Sequence, residues 1–314
     1  MAFNNSRAAR DKRQVEQLSI KLSLENALTS QLRGFFKRMS SDFRAAYSST
    51  GRIIDVRSYE DELIDILRPH YRKTAKKFSR TLRTEIKSVF LLDMEYKQDD
   101  SEVDGEIRAF VNVTPIIQAG YIIQTTEDIV TQAVAATIAQ QLLTGQSMTN
   151  EQIAAAAAVE ITRKNAARAP MIAQTETQRA AEGTKFIEAN TLIQTGAEVN
   201  GITVSDATEK EWNAVLDSQT RTAHVKADGQ RRSVNEPYLV KDQLLNYPGD
   251  TSLGATLDNV INCRCGSQFV ISQNIISAEQ VDIRPRDFSQ QGSPLITRFL
   301  EKYQIKSCSH YHNY

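Results

Sequence analysis

The chain has 314 residues, which is enough for two domains or for one domain with a large appendage. Hydrophobic residues make up 40% and charged residues 24%, a globular composition that argues against an integral membrane protein. The formal net charge is zero, but residues 1–90 carry 19 Lys and Arg against 10 Asp and Glu. This part therefore holds a charge of about +9 and the remainder about −9, so the basic part can bind an anionic partner.

Targeting and disulfide signals are missing from the sequence. The N-terminal stretch MAFNNSRAARDKRQVEQLS has neither the apolar region nor the cleavage site of a signal peptide. The longest apolar region, IIQAGYIIQTTEDIVTQAVAATIAQQLL, is interrupted by Glu127 and Asp128 and contains no clean run of roughly 18 residues. Three cysteines do not make a disulfide framework. We therefore expect a chain made in the cytoplasm, with reduced thiols and no membrane span.

Apolar residues recur at three- and four-residue spacing in the first part of the chain, which predicts long amphipathic helices. A first helix is expected over residues 14–48, and a second over residues 58–94 with a kink or a break at Pro69. The two are expected to form a helical hairpin. The apolar stripe of the first helix consists of Leu24, Leu28, Leu32, Phe35, Phe36, Met39 and Phe43.

A cationic ridge is expected along the opposite side of the second helix. Its members lie at positions i, i+4, i+8, i+11 and i+15 and are Arg72, Lys76, Arg80, Arg83 and Lys87. Such a ridge can contact DNA phosphates or an acidic protein surface, or it can be a solvated helix face. No nucleic-acid-binding module and no interleaved aromatic residues accompany it, so sequence-specific DNA recognition is not expected.

The middle of the chain predicts a linker followed by a third helix. Residues 97–106, KQDDSEVDGE, are acidic and rich in turn-forming residues, and they indicate a loop. The third helix is expected over residues 116–144, with Gly145 as its left-handed cap.

A fourth helix has the clearest boundary signals. Thr149 and Gln152 stand in capping-box spacing at its start, and Pro170 follows its expected end. We therefore expect a helix over residues 150–168.

From about residue 196 the pattern changes to short β-rich runs separated by turn residues. The fold class is therefore predicted to be α+β, with long N-terminal helices, a small mixed domain and an irregular C-terminal arm. The expected parts are an N-terminal helical arm and hairpin, a helical connector, an α+β domain and a C-terminal docking arm, at residues 1–110, 111–170, 171–272 and 273–314.

Polar residues in the later part of the chain form an ordered series of short motifs. In chain order these are AQTET with Glu176; the run W…D…R..H…DG with Trp212, Asp217, Arg221, His224, Asp228 and Gly229; PGD at residues 248–250; and NCRC with Asn262, Cys263, Arg264 and Cys265. In this order and spacing they resemble the phage Mu F-like minor head protein family, over about residues 145–272. Two departures are that Gln174 stands where the family commonly has arginine, and that VKA before Asp228 lacks the usual leucine.

Proteins of that family are low-copy virion components that join the procapsid with the portal and scaffold and affect assembly and DNA ejection. The resemblance implies a minor head protein at the portal vertex or inner capsid wall of a tailed phage, present in the host cytoplasm during assembly. The implied partners are the portal protein, the major capsid or scaffold protein, and packaged double-stranded DNA. We expect no enzymatic activity. The alternatives are a zinc- or cysteine-dependent hydrolase acting on nucleic acid or cell wall, and a DNA-binding adaptor unrelated to phage.

The two neighbouring cysteines raise the question of a metal site. His224, Cys263 and Cys265, with Asp217 or Asp228 as a fourth ligand, have the donor atoms that tetrahedral zinc prefers. Zinc motifs usually place two to four residues between cysteines, whereas here there is one. We expect the two thiols to share a metal only if residues 262–265 form a turn. No other cofactor is expected.

Redox and nucleophilic roles are less well supported by the sequence. A disulfide between Cys263 and Cys265 would close a strained small ring, and redox motifs generally have the form CxxC. Cys263, His224 and Asp217 have the chemistry of an acyl-transfer site, but no nucleophile elbow or oxyanion hole is recognisable.

We prefer a structural interpretation of NCRC as a closing strand and turn. Asn262 and Arg264 are then expected to hydrogen-bond backbone carbonyls or carboxylates such as Asp217 and Asp228. Asp217 can equally form an i, i+4 ion pair with Arg221. The C-terminal sequence SCSHYHNY, with Cys308, His310 and His312, is a second stretch able to bind metal weakly.

Overall fold

The computed structural model describes residues 7–90, 101–194, 198–199, 202–203, 208–271, 298–299 and 301–303. The fold is α+β, as the sequence predicts: long helices come first, and short strands and helices follow. The chain divides into two compact units. Unit 1 comprises Met1–Ser23, Lys73–Phe110 and Gln174–Tyr314, and unit 2 comprises Leu24–Arg72 and Val111–Ala173. The four consecutive parts expected from the sequence stay a prediction.

The first two helices are α1 (Arg7–Thr50) and α2 (Glu60–Phe90), with a short 3-10 helix (Val56–Tyr59) before α2. All seven residues of the predicted α1 stripe are at most 2% exposed. Pro69 lies inside α2, which does not end there. The residues around it explain this, because Leu67 and Tyr71 are fully buried and their packing offsets the proline's cost of about 3 kcal/mol.

The third helix, α3 (Ser101–Thr144), begins earlier than the sequence predicts and contains Pro115. The loop prediction is wrong for residues 101–106, which form the first turns of α3; residues 97–100 lie outside the described residues. Acidic residues are common in loops but are also stabilised at a helix N-terminus, where the backbone N–H groups carry partial positive charge. Gly145 has φ +67° and caps the helix as expected.

The fourth helix, α4 (Asn150–Gln194), is much longer than predicted. Its capping box is confirmed: Thr149 N donates to Gln152 Oε1 at 2.9 Å, and Gln152 N donates to Thr149 Oγ1 at 3.3 Å. The predicted end before Pro170 is wrong, because the helix continues through the proline. Ala169 and Ala173 on either side are fully buried, so packing again outweighs the local preference.

Unit 2 has one hydrophobic core, formed by the α1 stripe from Leu28 onward and by buried residues of the other three helices. Alanines of α4 such as Ala154 and Ala157 are fully buried in it, which allows close helix packing. Ser40 Oγ also donates to the backbone oxygen of Ala158 at 3.1 Å.

Unit 1 contains the strands and two short helices. The strands are β1 (Glu198–Val199), β2 (Ile202–Thr203), β3 (Thr208–Asn213), β4 (Arg231–Ser233), β5 (Tyr238–Val240), β6 (Gln243–Leu245) and β7 (Gly266–Ile271); the helices are α5 (Thr222–Ala227) and α6 (Leu257–Val260). β3 lies between β4 and β7 in an antiparallel sheet, with Trp212 opposite Ser267. β1 pairs with β2, and β5 pairs with β6, a hairpin that the sequence analysis missed.

In the part of the chain that the structure describes, every helix falls short of the length and apolarity needed to cross a bilayer. Most of the expected docking arm, residues 273–314, lies outside the described residues, and so do Cys308, His310 and His312.

Candidate functional site

The NCRC segment is a turn between α6 and β7, not a strand, so that part of the prediction is wrong: β7 begins one residue later, at Gly266. Asn262 has φ +58°, in the left-handed region that asparagine tolerates better than most residues. The turn required for a shared metal is therefore present. Cys263 and Cys265 are 1% and 0% exposed.

Both sulfur atoms lie next to one histidine nitrogen. Nδ1 of His224 is 3.6 Å from Sγ of Cys263 and 3.4 Å from Sγ of Cys265. His224 lies on α5 and is completely buried. Across the ring, Trp212 packs edge-on against it, with ring centroids 5.5 Å apart. Trp212, Cys263 and Cys265 belong to the apolar core of unit 1.

The other ring nitrogen of His224 faces Asn259, a residue that the sequence analysis did not single out. Nε2 lies 3.1 Å from the backbone oxygen of Asn259 and 2.9 Å from its Oδ1. The Asn259 amide nitrogen donates to the Val240 oxygen at 3.1 Å, which orients the side chain with Oδ1 toward His224. Both groups facing Nε2 are acceptors, so Nε2 carries the proton and Nδ1 presents its lone pair to the sulfurs.

Polar side chains of α4 hold the turn at residues 262–265. Gln174 donates to the Asn262 oxygen at 2.9 Å and accepts from Nη2 of Arg264 at 2.7 Å. Thr175 Oγ1 accepts the Asn262 N–H at 3.0 Å, and Gln178 donates to the oxygen of Cys265. Arg264 thus donates to the side-chain oxygen of Gln174. Its expected hydrogen bonds to backbone carbonyls or to Asp217 and Asp228 stay a prediction.

The DG and PGD motifs close two further turns. Asp228 Oδ1 accepts the Ala214 N–H at 2.8 Å, and Gly229, at φ +77°, donates its N–H to the Trp212 oxygen. In the second turn, Asp250 accepts the N–H groups of Asn246 and Ser252. The aspartates therefore act as acceptors for backbone N–H groups of the turns, and the Ala214 N–H among them is buried.

The remaining motif residues also have structural contacts. Asp217 accepts from the N–H of Gln219 and the hydroxyl of Thr220, and Arg221 donates to the Ile261 oxygen. Glu176 forms a buried ion pair with Arg179, at 2.6 Å. The structure thus brings His224, Cys263 and Cys265 together, whereas Asp217 and Asp228 are outside the group of possible metal ligands found among the described residues.

A buried ionic network beside this site was missed by the sequence analysis. Lys21 Nζ lies 2.7 Å from Glu182 Oε1, Lys185 Nζ is 3.5 Å from Glu182 Oε2, and Ser267 N donates to Glu182 at 2.9 Å. Burial alone would raise the pKa of Glu182, but Lys185 and Lys21 outweigh it and lower that pKa. Charged residues 161 positions apart carry no local pattern that could have predicted their pairing.

A further buried lysine lies on β3. Lys210 is 1% exposed and sits 4.9 Å from the ring centroids of both Phe186 and Tyr238. Its Nζ donates to the Asn246 oxygen at 2.8 Å. Burial lowers the pKa of Lys210 to about 7, against the opposing influence of Asp250 and Glu236.

The predicted cationic ridge is divided in the structure. Arg72, Lys76 and Arg80 are exposed, but Arg83 is partly buried and forms an ion pair with Glu188. The Lys87 side chain lies outside the described residues. Within unit 1, the exposed cationic face of α2 consists of Lys73, Lys76, Lys77 and Arg80.

A cavity of about 630 Å³ opens beside α5. Arg221, Lys226, Lys241 and Asp258 contribute its charged lining, and Lys241 pairs with Asp258 at 2.5 Å. Asn259, which contacts His224, also lines it, whereas His224, Cys263 and Cys265 are not among its lining residues.

Comparisons of the chain with protein-family models, with curated proteins and with solved structures give no match.

Proposed function

We propose that the chain is a minor head protein of a tailed phage, bound at the portal vertex or inner capsid wall and acting in head morphogenesis and DNA packaging or ejection. One observation carries the proposal. Residues from three separate motifs that resemble the Mu F-like pattern meet in buried hydrogen bonds: Thr175 of AQTET contacts Asn262 of NCRC, and His224 contacts Cys263 and Cys265. Gln174, where the sequence departs from the family, joins them through Asn262 and Arg264. Because each motif supplies hydrogen-bond partners for another, the loss of one motif would leave buried polar groups of the others unpaired. This is a physical reason for the motifs to occur together.

The burial of this set supports a structural role. His224, Cys263 and Cys265 are at most 1% exposed, so a polymeric substrate has no path to them without unfolding of the turn. This argues against the second candidate, a zinc- or cysteine-dependent hydrolase of nucleic acid or cell wall. Substrate-binding sites are ordinarily open clefts that bring the reacting groups to the ligand.

The exposed cationic face of α2 supports an anionic partner. None of Lys73, Lys76, Lys77 and Arg80 forms an ion pair with a carboxylate among the described residues. Lysine and arginine at i, i+3, i+4 and i+7 present a continuous strip of positive charge to solvent. Packaged double-stranded DNA and an acidic surface of the portal protein both match that charge.

Purified particles test the proposal directly. Antibodies raised against the recombinant chain should detect it in full and in empty heads of the phage that encodes it, at low copy number relative to the major capsid protein. It should remain with the portal protein when empty heads are dissociated. Absence from both kinds of particle overturns the proposal, and so does a chain that hydrolyses DNA or cell wall while His224→Ala, still folded, does not.

A further inference from the structure

We propose that His224, Cys263 and Cys265 bind one zinc ion, which fastens α5 to the turn before β7. This site is independent of the capsid role proposed above. The three ligand atoms, Nδ1 and two Sγ, all lie within 4.8 Å of one another, although 39 and 41 residues separate the histidine from the cysteines.

The two sulfur-to-nitrogen distances match a tetrahedral zinc shell. With Zn–S near 2.3 Å and Zn–N near 2.0–2.1 Å, a tetrahedral angle places sulfur and nitrogen about 3.6 Å apart. The two measured sulfur-to-Nδ1 distances are 3.6 and 3.4 Å. The two sulfurs lie within 4.8 Å of each other and would lie about 3.8 Å apart around the same ion.

Both sulfurs lie at nearly equal distance from one nitrogen, Nδ1 of His224. A neutral imidazole offers one lone pair there, and this nitrogen is the atom that would bind a metal. One cation bound by this nitrogen and both sulfurs would use all three donor atoms at once.

Asn259 acts as the orienting partner that metal-binding histidines usually have. Its backbone oxygen and Oδ1 both accept from Nε2, which keeps the proton off Nδ1 and sets the ring orientation. The Asn259 amide nitrogen is occupied by Val240 and Gln243, so the amide cannot turn without losing two hydrogen bonds. The histidine is thereby held in the form that ligates metal.

The charge balance suits the buried location. Two thiolates neutralise the two positive charges of zinc, and the surrounding core of Trp212, Ala227, Tyr238 and Val260 is apolar. Among the described residues, the group of possible ligands contains no fourth His, Cys, Asp or Glu. The fourth tetrahedral position therefore belongs to a water molecule or another neutral donor.

The test uses the full-length chain, produced with zinc in the medium and freed of any affinity tag. Elemental analysis should find about one zinc per chain. Blocking thiols with a mercurial reagent should release it, as read by a zinc-sensitive dye, and this measurement needs no variant. Cobalt substitution should give a thiolate-to-cobalt charge-transfer band and the absorption of a tetrahedral ion.

Variants separate this site from the C-terminal cluster. Cys263→Ser and Cys265→Ser should each lose the zinc, whereas the triple variant Cys308→Ser, His310→Gln, His312→Gln should keep it. His224→Cys keeps a ligand at the position and should retain zinc even if His224→Ala fails to fold. Asn259→Ala leaves all three ligands and should weaken zinc binding roughly 10–100-fold.

Three results would overturn the proposal. The first is that wild-type protein contains no zinc even after growth and refolding in the presence of zinc. The second is that only the C-terminal triple variant loses zinc. The third is that the cobalt-substituted protein shows no thiolate-to-cobalt bands.

Discussion

Nζ of Lys21 lies 2.7 Å from Oε1 of Glu182, although both side chains are at most 3% exposed. The same carboxylate accepts the backbone N–H of Ser267. One carboxylate therefore links α1, α4 and β7 inside unit 1. Because this carboxylate is buried, the stability of unit 1 depends on the cations that neutralise it.

Replacing Lys21 by methionine should destabilise unit 1 by about 3 kcal/mol, because Glu182 loses its nearest cation while remaining buried. Trp212 is the only tryptophan and lies in the core of unit 1, so its fluorescence reports the unfolding of this unit. Urea titration followed by that fluorescence should show a lower midpoint for Lys21→Met.

The matched control is Lys241→Met, which removes an exposed ion pair with Asp258 within unit 1. Exposed pairs contribute little, so the midpoint should not change measurably. Equal midpoints for Lys21→Met and Lys241→Met would show that the buried pair contributes no more than a surface pair.

Lys210 should make stability depend on pH. Burial lowers the pKa of Lys210 in the folded protein to about 7, and an unfolded lysine has a pKa near 10.4. Between these values the unfolded chain binds more protons than the folded protein, so the free energy of unfolding should rise with pH. The stability gained in this way should be lost again as the pH falls from about 10 toward 7. The Lys210→Met variant should lack this rise, as measured by urea midpoints from pH 7 to 10.

The exposed residue Lys226 provides the comparison for Lys210. The Lys226→Met variant should keep the wild-type pH dependence. If Lys210→Met shows the same slope as wild type, Lys210 is charged in the folded protein and the burial argument is wrong.

Asn262 should tolerate glycine better than alanine. Its φ of +58° costs a residue with a β-carbon about 1–2 kcal/mol, and glycine avoids this cost. The bonds to Thr175 and Gln174 use its backbone and survive either change. Asn262→Ala should therefore unfold at lower urea than Asn262→Gly, and the reverse order would contradict the backbone argument.

The exposed cationic face of α2 should determine how DNA affinity depends on salt. If Lys76 and Arg80 each neutralise a phosphate, the log–log slope of affinity against salt should fall by about 0.9 for each residue removed. We expect Lys76→Glu with Arg80→Glu to weaken binding of the full chain to duplex DNA of any sequence, as measured by fluorescence anisotropy across a salt series.

The matched control places the same charge change elsewhere. Arg33 and Lys37 are exposed cations on α1, and their double glutamate variant should keep most of the salt slope. Equal losses for both double variants would indicate a net-charge effect, and flat, weak wild-type binding would leave the acidic portal surface as the partner of this face.

The sequence by itself determined the features that depend on neighbours within a few residues. The apolar stripe of α1 is buried as its spacing predicts, and the capping box of Thr149 and Gln152 starts α4 where expected. The α+β class also follows from local patterns. The prediction that α4 ends before Pro170 is wrong, because burial of Ala169 and Ala173 stabilises the helix more than the proline destabilises it.

Only the tertiary structure decided which distant residues meet. The sequence suggested His224, Cys263 and Cys265 as ligands, but it could not show that the turn at Asn262 brings both sulfurs to one nitrogen or that Asn259 orients the ring. It gave no sign that Lys21 and Glu182 are buried together. The reason is physical: these contacts are formed between segments whose separation along the chain carries no periodic signal, and their energies exist only after the helices and strands have packed.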